Sequence, residues 1–262
     1  MVESNNNRSS FIFRLACFNQ AFKEQVNSQF GFFQPVKTVD PKVDTAIDKL
    51  NRLKKYIKQT EDNVKKMING MKTTMNAQKQ FAFVSKDAKL KGDEAILKQK
   101  LNLVSDSLSS SSKDIECLYL PAMENFHEWL KIFLDKAIRD AEDSVSNYNT
   151  VRTEMDTATD MIAQTKQRLS TEINGSQEYR RVTSILRGYE QTYKIKKAKY
   201  ELLCEEVIQK IELLEAKRKA DMPNYLQSVY DSMHIFYNQT VKNFPESGSS
   251  EMSIPTPSTI SQ

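Results

Sequence analysis

"DPKVDTAIDKLNRLKKYIKQTEDNVKKMINGMKTTMNAQKQFA", residues Asp40–Ala82, returns to an apolar side chain every three or four positions along its whole length. The line runs through Val43, Ile47, Leu50, Ile57, Val64, Ile68, Met71, Met75 and Ala82, with Lys54, Glu61 and Gln78 at intervening positions of the same seam. Spacings of four and three put these residues on one face of an α-helix, whereas a strand would alternate at every second residue. The heptad holds for about five repeats, so the stretch reads as one long helix. Asp40 followed by Pro41 marks its start. An aspartate side chain can accept from the first free N–H groups, and proline is preorganised for the first helical position.

Moving toward the C-terminus, "DAKLKGDEA" around Gly92 interrupts the pattern. It resumes through Leu97, Leu101, Val104, Leu108, Ile115, Leu118, Ala122, Phe126, Trp129 and Phe133, and again through Tyr148, Val151, Met155, Ala158, Ile162, Leu169 and Ile173. This predicts a second helix of about 80 residues, or about 120 Å at the α-helical rise, kinked at Pro121. The run "SLSSSSKD" from Ser107 admits two readings, a continuous helix or a loop that divides it. "EINGSQEY", with Asn174 and Gly175, is a stop and restart. A third helix carries Leu186, Tyr189, Tyr193, Tyr200, Cys204, Val207, Ile211 and Leu214, bends before Pro223, and continues through Tyr225, Val229, Met233 and Phe236 to Phe244. The fold class is all-α, with three long kinked antiparallel helices. Helices of this length bury their seams only where a neighbour covers them, so a dimer sharing one bundle is expected rather than a rod-like three-helix monomer.

Toward the N-terminus, "SSFIFRLACFNQAFKEQV" (Ser9–Val26) places Phe11, Leu15, Phe18, Phe22 and Val26 within about 80° of one another on a helical wheel. Arg14 and Lys23 flank this stripe, Gln20 and Glu24 lie opposite, and Phe13 and Cys17 break the polar face. Such a helix suits a membrane interface, with the five stripe residues as the inserting side. Full burial at about 1.5–3 kcal/mol each would total about 7–15 kcal/mol, less the cost of ordering the segment. "GFFQPVKTVDP", with Gly31, Pro35 and Pro41, separates it from the long helix that starts at Asp40. The expected organisation is a disordered leader (1–9), an amphipathic helix (10–33), a helical domain (40–244) and a disordered Ser/Pro-rich tail (245–262).

Composition agrees with a helical protein: 262 residues hold only 6 Gly and 7 Pro, and 27% are charged. Cys17, Cys117 and Cys204 have no metal-ligand spacing and read as buried thiols in a reducing compartment. No apolar run approaches the roughly 20 residues that span a bilayer, and a polar leader precedes the Phe-rich start, so the expectation is a cytoplasmic, peripheral membrane protein. The net charge of +4 is unevenly spread. Residues 42–100 hold 15 basic and 7 acidic side chains, a balance of +8; residues 101–165 hold 5 and 12, a balance of −7; residues 166–200 hold 9 and 3, a balance of +6. Around the second turn Lys166, Arg168, Arg180, Arg181 and Arg187 cluster and, with Arg14 and Lys23, are candidate contacts for anionic lipid headgroups. No nucleic-acid-binding module is recognisable. The chain lacks a P-loop, dinucleotide fingerprint, nucleophile elbow or zinc-protease motif, so neither an enzyme nor a cofactor or metal is expected. His127 and His234 read as packed or surface residues, and Glu205/Glu206 and Glu142/Asp143 as solvated charges.

Taken in order, "AFKEQVNSQFG", then Asp40–Ala82, then "LYLPAMENFHEWLKIFLDKAIRDAEDSVSNYNTVRTEMD" with Pro121 and the Tyr148-Asn149 pair, then "LEAKRKADMPNYLQSVYDSMHIFYNQTVKNF" with Pro223, resemble the BAR domain over about residues 10–244. The resemblance is strongest to the N-BAR form of the amphiphysin and endophilin families, in a short version without an SH3 domain. It implies a crescent-shaped antiparallel dimer with a six-helix core, either a homodimer or a heterodimer with another BAR protein. Such a dimer binds anionic phospholipid membranes and senses or generates curvature in endocytosis or membrane tubulation. One departure is that Lys131, Lys136, Arg139 and Arg152 of helix two are outnumbered by acids, which implies a weaker concave-face grip. The other functional class is a dimeric scaffold that binds a small GTPase, as arfaptins do, or a cytoskeletal partner, with membrane contact secondary.

Overall fold

The structure, a computed structural model, describes residue 17, residues 38–88 and residues 95–244. The stripe Phe11, Leu15, Phe18, Phe22 and Val26, the flanking Arg14 and Lys23, the interruption at Gly92 and the Ser/Pro-rich tail lie outside these residues. Among the described residues the fold is all-α, built on three helices: α1 (Pro41–Lys86), α2 (residues 95–171) and α3 (Gln177–Asn243).

Helix α1 begins as its sequence dictates. The Asp40 carboxylate accepts from the N–H groups of Lys42 at 3.0 Å and Val43 at 3.2 Å, while its carbonyl accepts from Asp44 N–H at 2.9 Å. Helix α2 is α-helical over Ala95–Asp114, Leu120–Ile132 and Arg139–Thr171, and π-helical over Ile115–Tyr119 and Phe133–Ile138. Of the two readings of the serine run, the continuous helix is the one observed. Ser105, Ser111 and Ser112 are buried, and the Ser105 hydroxyl donates to the Ala82 carbonyl of α1 at 2.8 Å. A side chain this small lets the two helices approach, and the hydrogen bond keeps its buried hydroxyl from being left unpaired.

The first π-helical turn stands directly before Pro121, closed by a bond from Leu120 N–H to the Ile115 carbonyl. Proline has no N–H and crowds the carbonyl four residues back; a wider turn at that position relieves the conflict while the helix continues. Helix α2 ends at Thr171, and Glu172 is extended at φ −87° and ψ 146°. Gly175 then takes φ +83°, a conformation suited to glycine. The Ser176 hydroxyl accepts from Tyr179 N–H at 3.0 Å to start α3. Because the helix stops before it, Ile173, placed on the apolar seam from its spacing, is 80% exposed. The chain stays helical through Pro223.

The described residues divide into two compact units, one holding residues 38–58 with Ile132–Lys219, the other residues 59–131 with 220–244. The first buries Val43, Leu50, Leu53 and Ile57 of α1, Phe133, Ile138, Tyr148 and Val151 of α2, and Val182, Val207 and Ile211 of α3. The second buries Val64 and Ile68 of α1, Ile115, Met123, Phe126 and Leu130 of α2, and Met222 and Phe236 of α3. Its aromatic residues interlock: Trp129 and Tyr225 stack at 5.2 Å between ring centroids, and Tyr119 meets Phe236 edge-on at 5.4 Å. Replacing Ser105 by leucine is expected to cost about 1–3 kcal/mol by overpacking, read as a lower urea midpoint. An unchanged midpoint would show that α1 and α2 are not held close at this turn.

Candidate membrane interface

The charge asymmetry between helices proves to be a pairing pattern. In the first unit Lys54 of α1 meets Glu142 of α2 at 2.5 Å, Lys196 of α3 meets Glu154 at 2.5 Å, and Lys210 meets Asp140 at 3.0 Å. In the second, Lys72–Glu124, Lys79–Glu116 and Lys86–Asp106 join α1 to α2 at 2.6, 2.7 and 3.1 Å. Half of the twelve acids of residues 101–165 therefore face lysines of the neighbouring helices. Exposed pairs contribute only about 0–1 kcal/mol each, but a wrong register would set like charges together. Glu142 and Glu206, read as solvated charges, are pairing residues instead. Glu206 accepts from the Ser144 hydroxyl at 2.8 Å and lies 3.2 Å from Lys210.

Several residues marked in the sequence find different places. Arg152 is buried within 4.0 Å of Asp156, which also accepts from Thr38 N–H at 3.2 Å and from the Thr38 hydroxyl. That arginine is withdrawn from any membrane contact, while Lys131, Lys136 and Arg139 are exposed. Glu61, the seam acid, is buried 2.9 Å from half-buried His127. His234 is exposed and bonded to Asn238. Of the three thiols expected to be buried, Cys204 is buried, Cys17 half-buried and Cys117 exposed; Cys117 sits in the π-helical turn before Pro121.

At the turn between α2 and α3 the structure gathers part of the expected basic cluster and neutralises some of it. Arg168 lies 2.5 Å from Glu178, and Arg181 lies 3.4 Å from the same carboxylate. Lys166 is 3.9 Å from Glu190. Arg180 and Arg187 are exposed and, among the described residues, carry no ion pair. Seven residues apart, they share one side of α3, and exposed Lys194 continues the line at the same interval. The turn adds a residue that the periodicity assigned elsewhere: Ile173 is 80% exposed, between the last turn of α2, which holds Arg168, and the first turns of α3, which hold Arg180 and Arg181. Its signal was available, since Asn174-Gly175 comes immediately after it and no helix could carry it further.

Among the described residues no group of three or more His, Cys, Asp or Glu side chains is placed to hold a metal ion, and no helix is long and apolar enough to cross a membrane. A family model for the arfaptin-like domain matches residues 19–244, nearly all of the helical region. The chain belongs to the arfaptin-like family. The arfaptin-like domain has a BAR-superfamily fold, so the resemblance carried by the kinks and their order was to the right superfamily, and the match identifies the arfaptin-like group within it. No curated protein gives a significant match. In this arfaptin-like domain, the hairpin turn carrying Ile173, Arg180, Arg181 and Arg187 is the candidate interface.

The Lys210 pairings give the domain a testable pH profile. The Ser144 hydrogen bond, then that of Lys210, hold the Glu206 carboxyl below its ordinary value of 4.5. The Asp140 hydrogen bond raises Lys210 above its ordinary 10.5. A depressed carboxylate stabilises the fold above its unfolded pKa and loses that stabilisation as pH falls through the folded value; a raised lysine loses its own only as pH rises past 10.5. Glu206→Gln should therefore lower the melting temperature slightly at neutral pH and flatten its fall below pH 4.5, so that variant and parent converge in acid. A parallel acid limb in parent and variant would remove Glu206 from this role.

Proposed function

We propose that this arfaptin-like domain is a non-enzymatic, dimeric module of N-BAR type that binds anionic membranes peripherally and responds to their curvature. The observation that carries the reading is Ile173, exposed in the turn before α3, whose exposed Arg180 and Arg187 carry no ion pair among the described residues. An apolar side chain set among cations serves the boundary between acyl chains and headgroups, where each nearby basic residue adds about 1 kcal/mol before salt screening. The apolar stripe Phe11, Leu15, Phe18, Phe22 and Val26, flanked by Arg14 and Lys23, supplies a second contact of the same kind. Domains of this family dimerise and bind small GTPases and membranes. In keeping with dimerisation, the second unit leaves Phe83, Val84, Tyr230 and Val241 exposed at 72%, 64%, 65% and 73%, apolar side chains that a partner subunit would cover.

A scaffold for a small GTPase is the second reading, favoured by a different surface. Ile195, Leu202 and Leu213 of α3 are 57%, 69% and 68% exposed and fall within about 20° on the helical wheel. A flat apolar line between charges suits a protein partner better than a bilayer.

Co-sedimentation with phosphatidylserine-rich vesicles of graded diameter, at low and high salt, separates the two. The full chain should pellet in a salt-sensitive way, and Ile173→Asp, Phe18→Glu with Phe22→Glu, or removal of residues 1–33 should each reduce the bound fraction severalfold while leaving the dimer intact. A confirmed dimer that stays in the supernatant at both salts would overturn the membrane reading in favour of the scaffold.

A further inference from the structure

In the first unit, the opening turns of α1 and the middle of α3 stand apart along a groove of about 960 Å³. Its floor is Ala46 of α1 and Ile211 of α3, both buried, with half-buried Ile208 and exposed Ala216 beside them. On α3 the lining residues Ile208, Glu212, Glu215 and Lys219 lie within about 60° of one another on the helical wheel. They are centred about 120° from the line of Ile195, Leu202 and Leu213, so this is a separate surface.

The charges lining the groove are not used up within the bundle. Lys54 and Lys196 reach acids of α2, whereas Lys42, Lys49 and Lys219 line this groove exposed and, among the described residues, carry no ion pair. Of the two acids, Glu215 is held by Arg218 at 2.9 Å, which leaves Glu212. Three lysines against one glutamate give an occupant a net +2 to meet. The start of α1 adds nothing to this, because the Asp40 carboxylate already accepts from the N–H groups of Lys42 and Val43. The spacing decides the form of the complementary charge. Lys42 and Lys49 are seven residues apart, two turns or about 10.5 Å along α1, and Lys219 stands about 16 Å beyond Ile208 along α3. A single phosphate would need cations converged on one point. Carboxylates repeated at the heptad interval on a helix meet these lysines in register, while the apolar side of the same helix lies on the floor.

We propose that this groove is a docking site for an acidic amphipathic helix of a partner protein, with its apolar side against Ala46, Ile208 and Ile211 and its carboxylates toward Lys42 and Lys49. Such a helix adds a fourth member to the first unit. The site rests on neither reading of the preceding subsection, since both use other residues.

Fluorescence anisotropy of the full chain with a labelled peptide of about 18 residues, a common helix length, tests the docking. The probe carries leucine at heptad positions a and d and glutamate at e and g; its control carries lysine in place of glutamate. The glutamate peptide should bind saturably, and the lysine peptide about tenfold or more weakly. Lys42→Glu with Lys49→Glu should weaken the glutamate peptide by about tenfold. Lys65→Glu with Lys66→Glu, the same change of charge at exposed residues of α1 in the second unit, should leave it unchanged. Ala216→Phe should weaken it with no change of charge, by filling the groove. Equal loss from the two double variants, or undiminished binding to Ala216→Phe, shows diffuse attraction and overturns the docking. A benzoylphenylalanine at one a position of the peptide locates the seat on the unaltered protein: photo-cross-links should fall in residues 41–49 or 208–219, and cross-links confined elsewhere overturn it. A parent that does not bind the glutamate peptide overturns it as well. If Lys42→Glu with Lys49→Glu then lowers the pelleting of phosphatidylserine-rich vesicles, the lysines belong to the membrane surface instead.

Discussion

Helix α2 has to be covered from two sides at once, by α1 and by α3, and most of what is particular to this sequence answers that requirement. Its apolar seam is widened by small residues where a neighbour comes close, as at Ser105 beneath the Ala82 carbonyl. Its acids reach outward to lysines of both neighbours, to Lys54, Lys72, Lys79 and Lys86 on α1 and to Lys196 and Lys210 on α3. None of these pairs is buried, and individually they add little. Together they disfavour registers of α2 that would separate these acids from their lysines. Charge here selects the register, and apolar burial supplies the stability.

This also changes what the acidity of α2 means for binding. A negative helix looks like an obstacle to an anionic surface when its residues are counted alone. Half of its acids are engaged, and Arg152, which counting would credit to the surface, is buried beside Asp156. Arg180, Arg187 and Lys194, which among the described residues are some of the basic side chains with no ion pair, lie along one side of α3. The surface potential that a partner meets is thus set by the charge left over after the helices have satisfied one another, and Arg180, Arg187 and Lys194 make part of that remainder positive beyond the turn after α2.

The fold was largely legible because a seam of period three to four over long stretches is a redundant signal: Val43, Leu50, Ile57, Val64 and Ile68 each repeat the same message, and all are buried. The start of α1 was legible through Asp40 and the end of α2 through Asn174-Gly175, where local chemistry decides. What sequence could not convey was partner choice. Nothing in the spacing distinguishes Glu142, which meets a lysine of α1, from Asp143 beside it; only the packed helices do. Ile173 was misplaced because a periodic pattern extrapolates one turn too far when the break comes after it. The serine run was ambiguous because serine favours loops by propensity, and tertiary contact overrode that preference.

The seam between Phe133 and Tyr148 was not legible, and the cause is the second wide turn. Phe133 and Ile138 are both buried but five residues apart, an interval that belongs to neither the heptad nor the regular helix. A π-helical turn is one residue of surplus chain absorbed inside a helix. It advances the sequence without advancing the face, so Ile138, Ala141, Tyr148, Val151 and Met155 resume burial on a pattern displaced by one position. A regular helix through the same residues would carry that face around by about 100° per surplus residue and turn Tyr148 away from Tyr200, whose ring lies 5.4 Å from it. The two wide turns of α2 are in this sense phase corrections, each resetting an α-helical count that drifts against the neighbours it must keep facing.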